Sequence, residues 1–276
     1  MSDWELPGCH EHDGRSVRYG RAGSGPPMVL VHGTPWSSFN LRHLVSRLSG
    51  HFSVHFYDLL GYGQSSKARG DVSLGVQNEV LDALLDLWGM ECPIIVGHDF
   101  GGATSLRTHL LNGRRFSRII LIDPVAVSPW GSPFFRHVRD HEAAFAGMPD
   151  YIHEAVLRAY VQTAAFKPLD EETLAGIVSP WTGEQGKSAF YRQIARADSR
   201  YTDDVEALYH TIKTPTLILW GREDCWIPLE RGEQLQGMIP GSTLRVIDGA
   251  GHLVIEEKPD ELAREILEFT EVPESA

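Results

Sequence analysis

PIIVGHDFGGATSLRTHLL, residues 93–111, reads as a buried strand, a tight turn and a helix with no spacer between them. The unbroken apolar run Ile94–Val96 suits a strand covered on both faces. Gly97 stands two residues before Asp99, and Gly101 and Gly102 stand just after it. Small residues there let the chain reverse sharply and leave one side chain, Asp99, lifted at the strand's carboxyl end. The helix that follows points its N-terminal dipole at that carboxylate, which favours an anion. A plainer role, an aspartate N-cap with glycines for the turn, fits the same letters, so the rest of the chain has to decide.

Working outward, similar apolar runs recur: PMVLVH (27–32), SVHFYDL (53–59), RIILID (118–123), TLILWG (216–221) and TLRVID (243–248). Helical periodicity falls between them. In VQNEVLDALLDLWGM (76–90), Val76, Val80, Leu84, Leu87 and Trp88 share one face, and ELAREILEF (261–269) has the same pattern. Strands alternating with helices predict a doubly wound parallel sheet. The alternation breaks once. From about 127 to 209 no strand-like run occurs, only amphipathic stretches such as YIHEAVLRAYVQTAAF (151–166) and AFYRQIARAD (189–198), bounded by Pro129 and Pro215. The expected organisation is a sheet domain in two pieces, 1–126 and 210–276, with a helical domain, 127–209, inserted between them.

Composition excludes several roles. A chain of 276 residues with 42% hydrophobic content can bury a large core, and a net charge of −12 offers no footprint for nucleic acid or an anionic membrane. A small neutral, apolar molecule is the expected partner, with the chain acting as a monomer or homodimer. No apolar run approaches the roughly 20 residues of a membrane span. The opening MSDWELPGCH lacks the basic start and apolar core of a secretory leader, so a cytoplasmic location is expected. The three cysteines form no CxxC pair, and the thirteen histidines include no HExxH, so neither metal nor cofactor is expected.

Four further segments settle the reading of Asp99. HGTPWSS (32–38) follows the first strong strand, and YDLLGYGQSS (57–66) follows the next. WGREDCWIP (220–228) leaves a late strand with Asp224 on its loop, and GAGHLVIEEKP (249–259) places His252 before the last helix. The order acidic turn residue, acid, histidine resembles the α/β-hydrolases, and the aspartate at the turn resembles their epoxide hydrolase and haloalkane dehalogenase branch. The resemblance covers nearly the whole chain. It implies an α/β-hydrolase fold: a doubly wound, mostly parallel sheet with an inserted all-helical cap. It also implies Asp99 as nucleophile, His252 as general base and Asp224 as the residue that orients it, with Asp123 in LIDP as a second possible acid. Backbone N–H groups of Thr34 and Phe100 resemble the oxyanion hole, while His32 and His98 resemble structural histidines.

A carboxylate suits displacement at saturated carbon, which forms an alkyl-enzyme ester that water then hydrolyses. The expected substrates are therefore epoxides or alkyl halides, not ordinary esters. Haloalkane dehalogenases resemble one another in a tryptophan just after the nucleophile and often an asparagine after the HG. Phe100 and Thr34 occupy those places here, which leaves Trp36, Trp130 and Trp181 as possible N–H donors to a halide. Epoxide hydrolases use cap tyrosines. SAFYRQ (188–193) resembles their W-Y-R-N motif and makes Tyr191 the leading donor, with Tyr160 or Tyr151 as the second; HGTP, however, departs from their HG-aromatic-P loop. The order of expectation is epoxide hydrolase, then a haloalkane or haloacid dehalogenase with an atypical halide site. A non-catalytic receptor on the same fold comes next, then a serine esterase, for which Ser105 lies too far inside the helix.

Overall fold

The computed structural model describes residues 4–271. The apolar runs become six parallel strands: β3 (Pro27–Val31), β4 (Ser53–Tyr57), β5 (Ile94–His98), β6 (Arg118–Ile122), β7 (Thr216–Gly221) and β8 (Thr243–Ile247). They lie in the order β4-β3-β5-β6-β7-β8. From β4 to β7 almost every strand residue is buried, which is why these runs read as continuous rather than alternating.

Two strands were not expected. A hairpin, β1 (Gly8–His12) and β2 (Arg15–Ala22), pairs antiparallel at the β4 edge and completes an eight-stranded sheet. Asp13 and Gly14 turn it with φ of 48° and 71°, the positive pair a two-residue hairpin needs. Only Val17 and Gly20 of β2 are buried, and Arg15, Arg18 and Arg21 interleave with them, so the edge strand lacks an apolar run.

Helices cover the sheet: α1 (Arg42–Leu48), α2 (Leu74–Leu87) and α3 (Phe100–Leu110) come from its first half, with α2 packed on α3. Between β6 and β7, among the described residues, there are no strands but six α-helices: α4 (Pro133–Asp140), α5 (Glu142–Ala146), α6 (Asp150–Gln162), α7 (Glu171–Val178), α8 (Gly183–Ala195) and α9 (Arg200–Glu206). α8 lies at the centre of this group, against α4, α5 and α6. α9 instead packs on α3, where Arg107 donates to the Tyr201 carbonyl at 2.6 Å. The chain closes with α10 (Glu230–Met238), α11 (Val254–Glu257) and α12 (Pro259–Glu271), the last packed on α1. Among the described residues, no helix is long and apolar enough to cross a membrane.

The turn from β5 to α3 explains its glycines. Asp99 sits at φ 52°, ψ −118°, a conformation costing a non-glycine residue about 1–3 kcal/mol. A Cβ on Gly97 would lie 2.4 Å from the Gly101 carbonyl oxygen, and one on Gly101 2.1 Å from the Val31 carbonyl oxygen. Only hydrogen fits at either place, so the chain closes tightly around Asp99 and holds the strain.

Candidate active site

Three strand ends bring three side chains together. Asp99 follows β5, Asp224 lies just beyond β7, and His252 follows β8. His252 Nδ1 lies 2.8 Å from Asp224 Oδ2, and its Nε2 lies 3.2 Å from Asp99 Oδ2. Asp224 Oδ1 accepts from the backbone N–H of Trp226 at 2.7 Å and of Ile227 at 2.9 Å, which fixes the carboxylate before it meets the imidazole. Asp99 Oδ1 accepts from the Thr34 N–H at 2.6 Å. Gly33 permits that approach, since a Cβ there would meet Asp99 Oδ1 at 2.3 Å. Phe100 opens α3, so its N–H is one of the first-turn donors without an intrahelical acceptor. Burial opposes charge on His252, but the two carboxylates beside it outweigh burial and hold its pKa well above the ordinary imidazole value.

Asp123, the alternative acid, ends β6 at φ 39° and accepts from the Gly221 N–H at 2.9 Å. It makes no hydrogen bond to His252. Burial first, and the neighbouring Asp224 second, push its pKa well above the usual carboxylate value, and its bond to the Gly221 N–H ties β6 to β7. His32 joins the Gly33 carbonyl to the Leu59 N–H, and His98 Nε2 donates to the His252 carbonyl at 2.9 Å. Burial lowers both pKa values, that of His98 to about 3, so both rings are neutral.

Above Asp99 lies a cavity of about 30 Å³, lined by Thr34, Phe100, Trp130, Phe135, Tyr160 and Trp226 among others. Tyr160 is the tyrosine that faces it. Burial raises its phenol pKa, and Asp99's charge adds to the rise, so the hydroxyl keeps its proton. The expectation for Tyr191 needs correcting: it is fully buried and does not line the cavity, and its hydroxyl donates to His153 Nδ1 at 2.8 Å. Tyr151 is 74% exposed on the outside of α6 and is likewise removed from Asp99. Trp130 lines the cavity, but its indole N–H is committed to Thr202 Oγ1 at 2.9 Å. Trp181 donates to the Pro35 carbonyl at 2.7 Å, and Trp36, stacked on Trp226, is fully buried outside the cavity lining with its indole N–H unpartnered.

Trp226 was not singled out from the sequence. It lies over His252 with ring centroids 5.2 Å apart, and it stacks on Tyr160 at 4.6 Å. Its indole N–H donates to Thr163 Oγ1 at 3.0 Å. The one available signal was its place, two residues after Asp224 on the same loop.

Known proteins agree with this architecture. An α/β hydrolase fold protein from Burkholderia ambifaria superposes with a TM-score of 0.94 at 45% identity, covering 96% of this chain and 98% of that one. The 2-hydroxy-6-oxo-2,4-heptadienoate hydrolase of Pseudomonas putida F1 is 31% identical over 258 residues, 90% of each chain. A haloalkane dehalogenase of Agrobacterium fabrum is 38% identical over 103 residues, 37% of this chain and 34% of that one. Residues 28–265 match the model of the alpha/beta hydrolase family, and the chain belongs to that family.

Proposed function

We propose that this hydrolase works through an alkyl-enzyme ester on Asp99 and that its substrates are small neutral epoxides. One observation carries the reading: a carboxylate occupies the strained turn, with Oδ1 on the Thr34 N–H and Oδ2 toward His252. Oδ2 bonds to an epoxide carbon as that carbon's bond to the ring oxygen breaks, and the freed oxygen takes a proton, with Tyr160 as its donor. Oδ1 remains as the ester carbonyl oxygen, facing Thr34 N–H. His252, oriented by Asp224, then removes a proton from water, which attacks the Asp99 carbonyl carbon; the Thr34 and Phe100 N–H groups stabilise the oxyanion. The diol leaves and the carboxylate is restored. The first half-reaction consumes one proton and the second returns it. The proton lent by Tyr160 in the first half is restored from solvent, and the one His252 takes from water in the second is released to it. The helical segment 127–209 serves as the cap, supplying Tyr160 and the aromatic wall.

The cavity lining among the described residues contains no lysine or arginine. That argues against a substrate carboxylate, such as a dienoate or a haloacid. A haloalkane is the second reading, favoured by the segment shared with the Agrobacterium dehalogenase. Against it, the indole N–H groups of Trp130 and Trp226 are both committed to threonine hydroxyls. A paired assay of diol release from epoxides and halide release from haloalkanes, with Asp99→Ala as the blank, tests the proposal. Halide release without diol formation would put the second reading first.

A further inference from the structure

Gln193 ties the helical segment to the loop over Asp99. It comes from α8, is 2% exposed, and its Oε1 accepts from Thr34 Oγ1 at 2.7 Å and from Tyr62 Oη at 2.8 Å. Its Nε2 is buried with no hydrogen-bond partner. An unmade buried donor is costly, and it is tolerated here beside the acceptor that the buried Thr34 and Tyr62 hydroxyls require. What the glutamine supplies is one oxygen shared by Thr34 and Tyr62. Thr34 connects the two halves of the site: its hydroxyl goes to Gln193 and its N–H to Asp99 Oδ1. The next residue of the loop is held from the same side, by the Trp181 indole on the Pro35 carbonyl.

We propose that Gln193 is a positioning residue that sets the Thr34 N–H against Asp99, so that closure of the helical segment over a substrate completes the oxyanion site. This rests on the ester reading above. In this proposal the helical segment, which carries Gln193 and Trp181, moves to admit a substrate larger than the cavity of about 30 Å³ over Asp99. Displacement releases Thr34, and return restores it, so the donor is aligned whenever the helical segment is closed.

The Thr34 amide proton reads the proposal without any substrate. In Gln193→Leu its NMR resonance shifts upfield and its protection from hydrogen exchange falls, while Gln193→Glu, which keeps an oxygen acceptor, stays close to the parent. With styrene oxide as probe, ester hydrolysis in Gln193→Leu slows roughly ten- to a hundredfold, the range for a misplaced group, and alkylation changes much less. Thr34→Val removes the same hydrogen bond from the other side, and the double variant is no slower than either single one. Melting curves confirm that each variant is folded. An unchanged Thr34 amide in Gln193→Leu, or equal slowing of both steps, overturns the proposal. If the parent forms no ester on Asp99, the ester reading fails instead, and the amide measurement still decides the role of Gln193.

Discussion

Replacing Asp224 with asparagine keeps the shape and removes one acceptor. The structure fixes which one. Oδ1 serves two backbone donors, Trp226 and Ile227 N–H, so the asparagine oxygen stays there; flipping the amide would leave both donors unmet, at about 1–3 kcal/mol each. The amide nitrogen then faces His252 Nδ1, where Asp224 Oδ2 accepted at 2.8 Å. A donor there forces the ring to accept at Nδ1 and to carry its proton on Nε2, toward Asp99. The imidazole can no longer take a proton from water, and it loses the charge nearby that raised its pKa. The expected loss in ester hydrolysis is about 10⁴, the cost of the wrong tautomer in a histidine relay. Alkylation does not use Nε2 as a base, so single-turnover experiments should show a burst of ester followed by near arrest. Asp123→Asn is the control: its oxygen can still accept from Gly221 N–H, and its effect should be small. A nearly silent Asp224→Asn, or a more damaging Asp123→Asn, would refute the reasoning.

Three other outcomes follow from the same geometry. Tyr160→Phe should slow alkylation by an epoxide roughly 10²–10⁴-fold, the range for one general acid, while Tyr191→Phe, whose hydroxyl serves His153, should leave that step nearly unchanged; rapid-mix alkylation rates check both. His252 is charged in the folded site up to well above pH 6.5, so its contribution to stability is full below 6.5 and is lost as pH rises through the folded value; urea midpoints of parent and His252→Gln should converge at alkaline pH, and a gap that widens there would contradict the sign. Gly101→Ala should destabilise by about 3 kcal/mol or more, because its Cβ meets backbone at 2.1 Å rather than a movable side chain; a melting curve near the parent's would show that the turn is not closed so tightly.

The sequence carried the sheet's centre because those strands are buried on both faces and so appear as unbroken apolar runs. It did not carry the β1–β2 hairpin, whose edge position leaves charged residues between few buried ones. Asp99, Asp224 and His252 could be placed together because each follows a strand whose order the fold dictates. The tyrosines of the helical segment could not, since a helix's phase against its neighbours is absent from local spacing. Tyr191 and Gln193 show this well. Two residues apart on α8, they lie roughly 200° apart around the helix, so Gln193 meets Thr34 in the loop after β3 while Tyr191 turns to His153. Tyr160 owes its position to α6 and to its stack on Trp226, whose place over His252 depends on how the Asp224 loop folds back.

The central claim, an ester on Asp99, is tested most directly by intact-protein and peptide mass spectrometry of His252→Gln after incubation with an epoxide. An adduct equal to the whole mass of the epoxide should accumulate, mapped to the peptide containing Asp99 and absent from Asp99→Ala/His252→Gln. An adduct on any other residue, or turnover by Asp99→Ala at the parent's rate, would contradict it.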